Sequence, residues 1–224
     1  MKSGILTAAI GSSRSGKTQY VTSRTKSAKR VLIWDIKGEY VGVNRARNRA
    51  GLLSMIKGAL GKPCKIAYTP DSIGDFSFFC QCAQTWVKSQ YKAGFQSVLI
   101  FEETADVTSP AKAPDEYGII LRRYLSYGVD IYAITQRPAE SDKTAVGNAS
   151  ILRICRLQLD RDRKAASSDT GLPLVVIDNL GADQEAGKFD YITADTGRRK
   201  WRSGQLTFSG GKPVFTDSKN ENPL

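Results

Sequence analysis

Short apolar runs recur along the first two thirds of the chain, at residues 5–10, 31–34, 64–68, 98–101, 131–135 and 151–157. Each is four to seven residues long and lacks the strict alternation of a half-solvated strand, so each predicts a strand buried on both faces. Between them, residues 17–27, 44–60, 76–91 and 117–127 carry apolar positions at helical spacing, with a further short helical stretch before 151. Strands of this kind alternating with helices predict a mainly parallel sheet covered by helices on both faces. Phe76, Phe79 and Trp86 then belong to the core side of a long helix. Beyond Thr170 the pattern changes to glycine-punctuated β segments at 189–193, 201–206 and 213–216, followed by a polar and mobile tail at 218–224. The expectation is one α/β domain, with a core over 1–170 and a β-rich extension of the same domain over 171–224.

The 224 residues suffice for one such domain. Lysine and arginine number 33 against 22 aspartate and glutamate, a formal charge of +11 that favours polyanionic partners, nucleic acid first. Histidine is absent, which excludes histidine acid–base catalysis and histidine metal sites. Cys64, Cys80, Cys82 and Cys155 lack paired metal or redox spacing and read as reduced, buried thiols. No apolar run is long enough to span a bilayer and no signal peptide is visible, so a soluble intracellular chain is expected.

Candidate chemistry begins directly after the first strand. Gly11, Ser12, Ser13, Arg14, Ser15, Gly16, Lys17 and Thr18 match G-x-x-x-x-G-K-[ST], the phosphate-binding loop. Its backbone N–H groups would cradle phosphates at a helix N-terminus, Lys17 would reach the β and γ phosphates, and the Thr18 hydroxyl would ligate Mg²⁺. Such a loop needs an acid at the end of a parallel strand, and Glu102-Glu103 follow the run 98–101. Glu102 is assigned to the metal or its water, and Glu103 to the water that attacks the γ phosphate. A further strand is expected between the loop strand and this acid strand. At the end of strand 131–135, Gln136 can donate to a γ phosphate and accept from the attacking water, which suits a sensor of hydrolysis.

The segments Gly11 to Thr18, Trp34-Asp35-Ile36-Lys37-Gly38-Glu39-Tyr40, Leu99-Ile100-Phe101-Glu102-Glu103 and Ile134-Thr135-Gln136-Arg137-Pro138 resemble, in order, those of the FtsK/HerA superfamily of DNA-pumping ATPases, over about residues 5–165. Within that superfamily the chain looks most like the genome-packaging ATPases of tailless, internal-membrane viruses of the tectivirus type. The resemblance implies a P-loop NTPase domain of the RecA/FtsK-like type, ATP and Mg²⁺ as cofactors, and translocation of double-stranded DNA into a preformed capsid. It implies a ring oligomer, a hexamer by preference, docking to capsid vertex or portal proteins. It also implies residence in the host cytoplasm during assembly, with retention at a packaging vertex of the virion. Glu102 departs from the pattern, where aspartate is usual. In a ring, an arginine touches the neighbour's nucleotide; Arg122, Arg123, Arg137, Arg153 and Arg156 are candidates, and Arg153 is the choice.

A motor must grip backbone phosphates at any sequence, and two basic segments are candidates, the loop 108–115 with Lys112 and the stretch 197–202. The alternatives are an export or plasmid-transfer ATPase, a nucleotide-switch GTPase, and a small-molecule P-loop kinase. Export relatives usually carry a membrane segment. Asp35 to Gly38 mimics the D-x-x-G of GTPases but begins only 17 residues after Thr18, and no N-K-x-D follows. A kinase lid would draw on arginines near 160–164, and the strand-end Glu-Glu and Thr-Gln-Arg-Pro fit it poorly.

Overall fold

A computed structural model describes residues 2–224. Leu6–Ile10 forms β1 and Lys17–Thr25 forms α1. There follow β2 (Arg30–Trp34), β3 (Asn44–Ala46), α2 (Arg49–Gly58), β4 (Cys64–Tyr68), α3 (Phe76–Lys92), β5 (Ser97–Phe101), α4 (Asp115–Arg123), β6 (Val129–Thr135), α5 (Thr144–Gly147) and β7 (Ile151–Cys155). These seven strands pair in parallel, in the spatial order β7-β1-β6-β5-β2-β4-β3. Strand β6 therefore separates the loop strand β1 from the acid strand β5, as the sequence predicts.

The strands divide their side chains between two cores with the period-two alternation of a pleated sheet. Leu32, Trp34, Leu99 and Phe101 face one side, where they meet Phe76, Phe79 and Trp86 of α3 and Tyr117 and Ile120 of α4. Val31, Ile33, Val98 and Ile100 face the other, against Tyr20 and Val21 of α1. Burial on both faces is why these runs are continuously apolar.

The remaining elements are α6 (Asp160–Thr170), α7 (Leu174–Asp178), β8 (Ala182–Asp183), β9 (Lys188–Asp195), β10 (Lys200–Ser209), β11 (Lys212–Asp217) and β12 (Asn222–Pro223). Strand β9 runs antiparallel to β7, and β10 and β11 continue outward antiparallel, so the C-terminal strands extend the same sheet.

Two expectations change, and one element was not anticipated. Residues 44–60 are not one helix, because Asn44–Ala46 pairs with β4 and Asn48 caps α2 by accepting from the Gly51 N–H at 2.8 Å. The tail is fastened, since Asn222 and Pro223 pair with Trp201 and Lys200 of β10 and the Leu224 N–H donates to the Arg199 carbonyl at 2.9 Å. Helix α6 has no apolar stripe to announce it, as its buried positions are Asp162, Ala166 and Thr170.

Candidate nucleotide site

The phosphate loop runs from the end of β1 into α1 at the carboxyl edge of the parallel strands, where ligands of open α/β sheets bind. Arg14 (φ 54°) and Gly16 (φ 92°) adopt left-handed backbone, and these reversals curl the loop. Gly16 is required twice over, because a Cβ there would also stand 2.8 Å from Leu206 of β10. The C-terminal strands thus buttress the loop. Lys17 is buried and donates to the Ser12 carbonyl at 2.7 Å, so the ammonium is held inside its own loop. Burial lowers its pKa, an effect opposed by Cys155, Glu103 and Glu102.

Both glutamates are buried. Glu102 Oε1 accepts from the Tyr40 hydroxyl at 2.7 Å and from the Thr18 hydroxyl at 3.3 Å. Burial raises the Glu102 pKa to about 7, against the opposing pull of Tyr40 and Lys17. Glu103 adopts a left-handed backbone, φ 50° and ψ 53°. That conformation costs a non-glycine residue about 1–2 kcal/mol, and here it marks the point where β5 breaks off beside the loop. Glu103 Oε1 accepts from Lys37 at 2.5 Å and from the Gln136 side-chain amide. Gln136 follows β6 in a turn stapled by the Arg137–Asp162 ion pair at 3.3 Å.

Ser13 to Gln19, Glu39, Glu103 and Gln136 enclose a cavity of about 370 Å³. The expected groups Lys17, Thr18, Glu103 and Gln136 converge there, and Glu102 stands behind Thr18. A larger hollow of about 690 Å³, between α7 and the C-terminal strands, contains no residue of the loop.

The Asp35 to Tyr40 turn also belongs to this site, through Tyr40 on Glu102 and Lys37 on Glu103. Asp35 is wholly buried and accepts from the Glu39 and Tyr40 N–H groups at 2.9 and 3.2 Å and from Arg45 at 2.7 Å. Its carboxylate is consumed by the turn, unlike that of a GTPase switch. The available signal was positional, because the segment leaves the carboxyl end of β2 at the ligand edge of the sheet.

The structure does not bring Arg153 where a neighbour's nucleotide could be touched. It is 3% exposed, its guanidinium lies 3.0 Å from the Tyr191 ring centroid and 4.4 Å from that of Tyr20, and it donates to Thr193 at 2.8 Å. Aromatic faces suit a buried arginine, and they hold it inside its own chain. Arg137 pairs with Asp162, whereas Arg122, Arg123 and the half-buried Arg156 form no ion pair among the described residues. Lys112 is exposed in the loop that departs from Glu103. The 197–202 segment lies at the opposite edge of the sheet, because β9 ends where β7 begins, and three of its four cations are engaged internally, while Arg199 is exposed with no ion pair among the described residues. Arg198 and Lys200 share Glu221, and Arg202 faces Asp217 at 3.6 Å.

The fold recurs in known structures. The genome packaging NTPase B204 from Sulfolobus turreted icosahedral virus 2, solved in complex with ATPγS, superposes with a TM-score of 0.69 at 16% identity, covering 91% of this chain and 98% of B204. B204, the DNA-packaging ATPase from Sulfolobus turreted icosahedral virus, matches with a TM-score of 0.67 at 17% identity over 100% of both chains. The chain shares the fold of these B204 structures. In sequence, it is 32% identical over 139 residues to Protein P9 of Pseudoalteromonas phage PM2, a match covering 61% of this chain and 62% of that protein. No family model matches the chain.

Proposed function

We propose that the protein is an ATPase that drives double-stranded DNA into a viral capsid, working as a ring of identical subunits. The observation that carries this is the placement of Glu103 on the cavity wall shared with Lys17, Thr18 and Gln136. In this reading the attacking water stands between Glu103 and the γ phosphorus. Its oxygen bonds to phosphorus, its proton passes to Glu103, and the electron pair of the broken phosphoanhydride bond leaves with ADP. Lys17 releases the Ser12 carbonyl to meet the β and γ phosphates, and Gln136 reports their state.

Thr18 Oγ1 and Glu102 Oε1, 3.3 Å apart, form a hard-oxygen pair that fits Mg²⁺. Held by Thr18 and Glu102, Mg²⁺ would supply positive charge to offset that of the phosphates during transfer. Ionised Glu102 is the form that would hold it.

DNA as the translocated polymer is supported by the +11 charge and by the names of the B204 relatives. Free cations gather at the amino edge of the parallel strands. Lys26, Lys29 and Lys65 line a hollow of about 440 Å³, with Lys62 beside it, and none of the four has an ion-pair partner among the described residues. We assign the grip on backbone phosphates to this edge together with Lys112. Arg153 leaves the trans-acting role, and Arg156, whose carbonyl accepts from the Ser12 N–H at 2.8 Å, stands beside its own loop, where it would meet phosphate in cis. Capsid vertex proteins as docking partners, assembly in the host cytoplasm and retention in the virion complete the proposal.

The test is ATP hydrolysis with and without long double-stranded DNA, beside Lys17→Ala. Stimulation by DNA that weakens with salt and vanishes in the variant supports the reading. DNA-independent turnover, or phosphate transfer to a small acceptor, overturns it.

A further inference from the structure

We propose that Lys37 is a positioning residue for hydrolysis, pinning one oxygen of Glu103 so that the other accepts the proton of the attacking water. The inference rests on the ATPase reading above.

Three observations carry it. First, the Lys37 ammonium and the Gln136 amide both donate to Oε1 of Glu103, and among the described residues no donor reaches Oε2. A carboxylate held through one oxygen by two donors cannot rotate freely, and the second oxygen keeps its lone pairs for water. Second, Lys37 is exposed, its side chain 43% accessible, but the turn that carries it is braced. The Gly38 N–H donates to the Asp35 carbonyl at 3.1 Å, and Gly38 reverses the chain at φ 72°. Arg45 then clamps the turn from outside by donating to Asp35 at 2.7 Å and to the Tyr40 carbonyl at 2.6 Å. Third, the same turn reaches both glutamates, Lys37 touching Glu103 and Tyr40 touching Glu102. A single braced loop therefore sets the orientation of the proposed base and of the proposed metal-side carboxylate.

The Lys37 pKa shift agrees with this geometry. Burial alone would lower it, but the hydrogen bond and charge of Glu103, with Glu39 and Asp106, carry it above the ordinary value. Lys37 is therefore an ammonium in this contact, with protons to donate and no capacity to compete as a base. Its reach differs from that of Lys17, which lies within the phosphate loop, and Lys37 does not line the phosphate cavity.

Misplacing a proposed base by about 1 Å can cost about 100-fold in rate. Lys37→Met is therefore expected to lower kcat about 10- to 100-fold, with KM for ATP within about threefold of the parent. Lys37→Arg, which keeps the charge and the donor, should recover most of the loss, and Lys37→Gln should recover part. In single turnovers, Lys37→Met added to Glu103→Gln should cause no further loss, because the residue it positions is gone. Binding of a fluorescent ATP analogue and the Tm of each variant monitor folding. An unchanged kcat in Lys37→Met overturns the proposal. So does a raised KM with intact kcat, which would make Lys37 a phosphate ligand, or an equal loss in the Glu103→Gln background, which would make it structural. If Glu103→Gln alone hydrolyses at the parental rate, the ATPase assignment of Glu103 fails, and the Lys37 proposal with it.

Discussion

At the carboxyl ends of the parallel strands the charged groups engage one another: Lys37 meets Glu103, Arg45 meets Asp35, and Tyr40 and Thr18 meet Glu102. At the amino ends of the same strands, Lys26, Lys29, Lys62 and Lys65 stand without carboxylates, near the last turns of α1, α2 and α3, where Arg24, Lys57 and Lys92 also lie. Helix dipoles account for the cations in the last turns, since a carbonyl end favours positive charge. They also cover Lys26, the C-cap of α1, and Lys65, which donates to the Lys26 carbonyl at 3.0 Å, but not Lys29 and Lys62 in the connections. One edge is a small set of directed contacts in which each residue matters singly. The other is a diffuse field in which residues count by their sum, which is how a partner with evenly spaced phosphates is met.

The sharpest break of this contrast comes at Glu103. Glu103→Gln should lower hydrolysis about 10²- to 10⁴-fold, the usual worth of a positioned base, while a fluorescent ATP analogue still binds. Retained turnover would show that the directed edge is not catalytic. Asp35→Ala tests the same edge through stability. Losing a buried carboxylate that pairs with Arg45 and two N–H groups should cost about 3–5 kcal/mol in denaturant titration, and a loss below about 1 kcal/mol would mean that the turn is held otherwise.

Glu102 gives a pH signature. Its folded pKa of about 7 exceeds the ordinary 4.5, so its contribution to stability is fully present below pH 4.5 and is lost as pH rises through 7. The ceiling of the effect is about 3 kcal/mol. Thermal melts of metal-free protein from pH 4.5 to 8 should show the decline, Glu102→Gln should flatten it, and Mg²⁺ with nucleotide should restore stability at the upper end. A decline that persists unchanged in Glu102→Gln would assign it to another group.

The amino edge should yield the smallest single effects. Replacing Lys26, Lys29, Lys62 or Lys65 alone by alanine is expected to weaken DNA binding only about two- to threefold, whereas the quadruple variant should reduce the salt slope by about three to four, near 0.9 per lost contact. A slope that does not move would locate the DNA elsewhere, with Lys112 the next residue to replace.

Contiguous features were legible in the chain: the loop from Gly11 to Thr18, the acids closing an apolar run, the amide after β6, and the parallel strands. These depend on local periodicity and on residues a few positions apart, which a sequence displays directly. Helix α6 stayed hidden because its buried stripe is mostly polar, and β3 because three residues carry too little pattern to outweigh a neighbouring helix.

By itself the sequence determined that a phosphate loop would lie at one edge of a buried parallel sheet, with acids at the end of another strand. Only the tertiary structure decided which residues meet. Lys37 and Glu103 are 66 positions apart and touch because β2 and β5 are neighbours ending at the same edge. Arg153 lay at a plausible sequence position, yet pairing between β7 and β9 closed Tyr191 over it. Periodicity tells a residue which face to take. Strand order tells it whom it finds there, and that order is set by the packing of the whole chain.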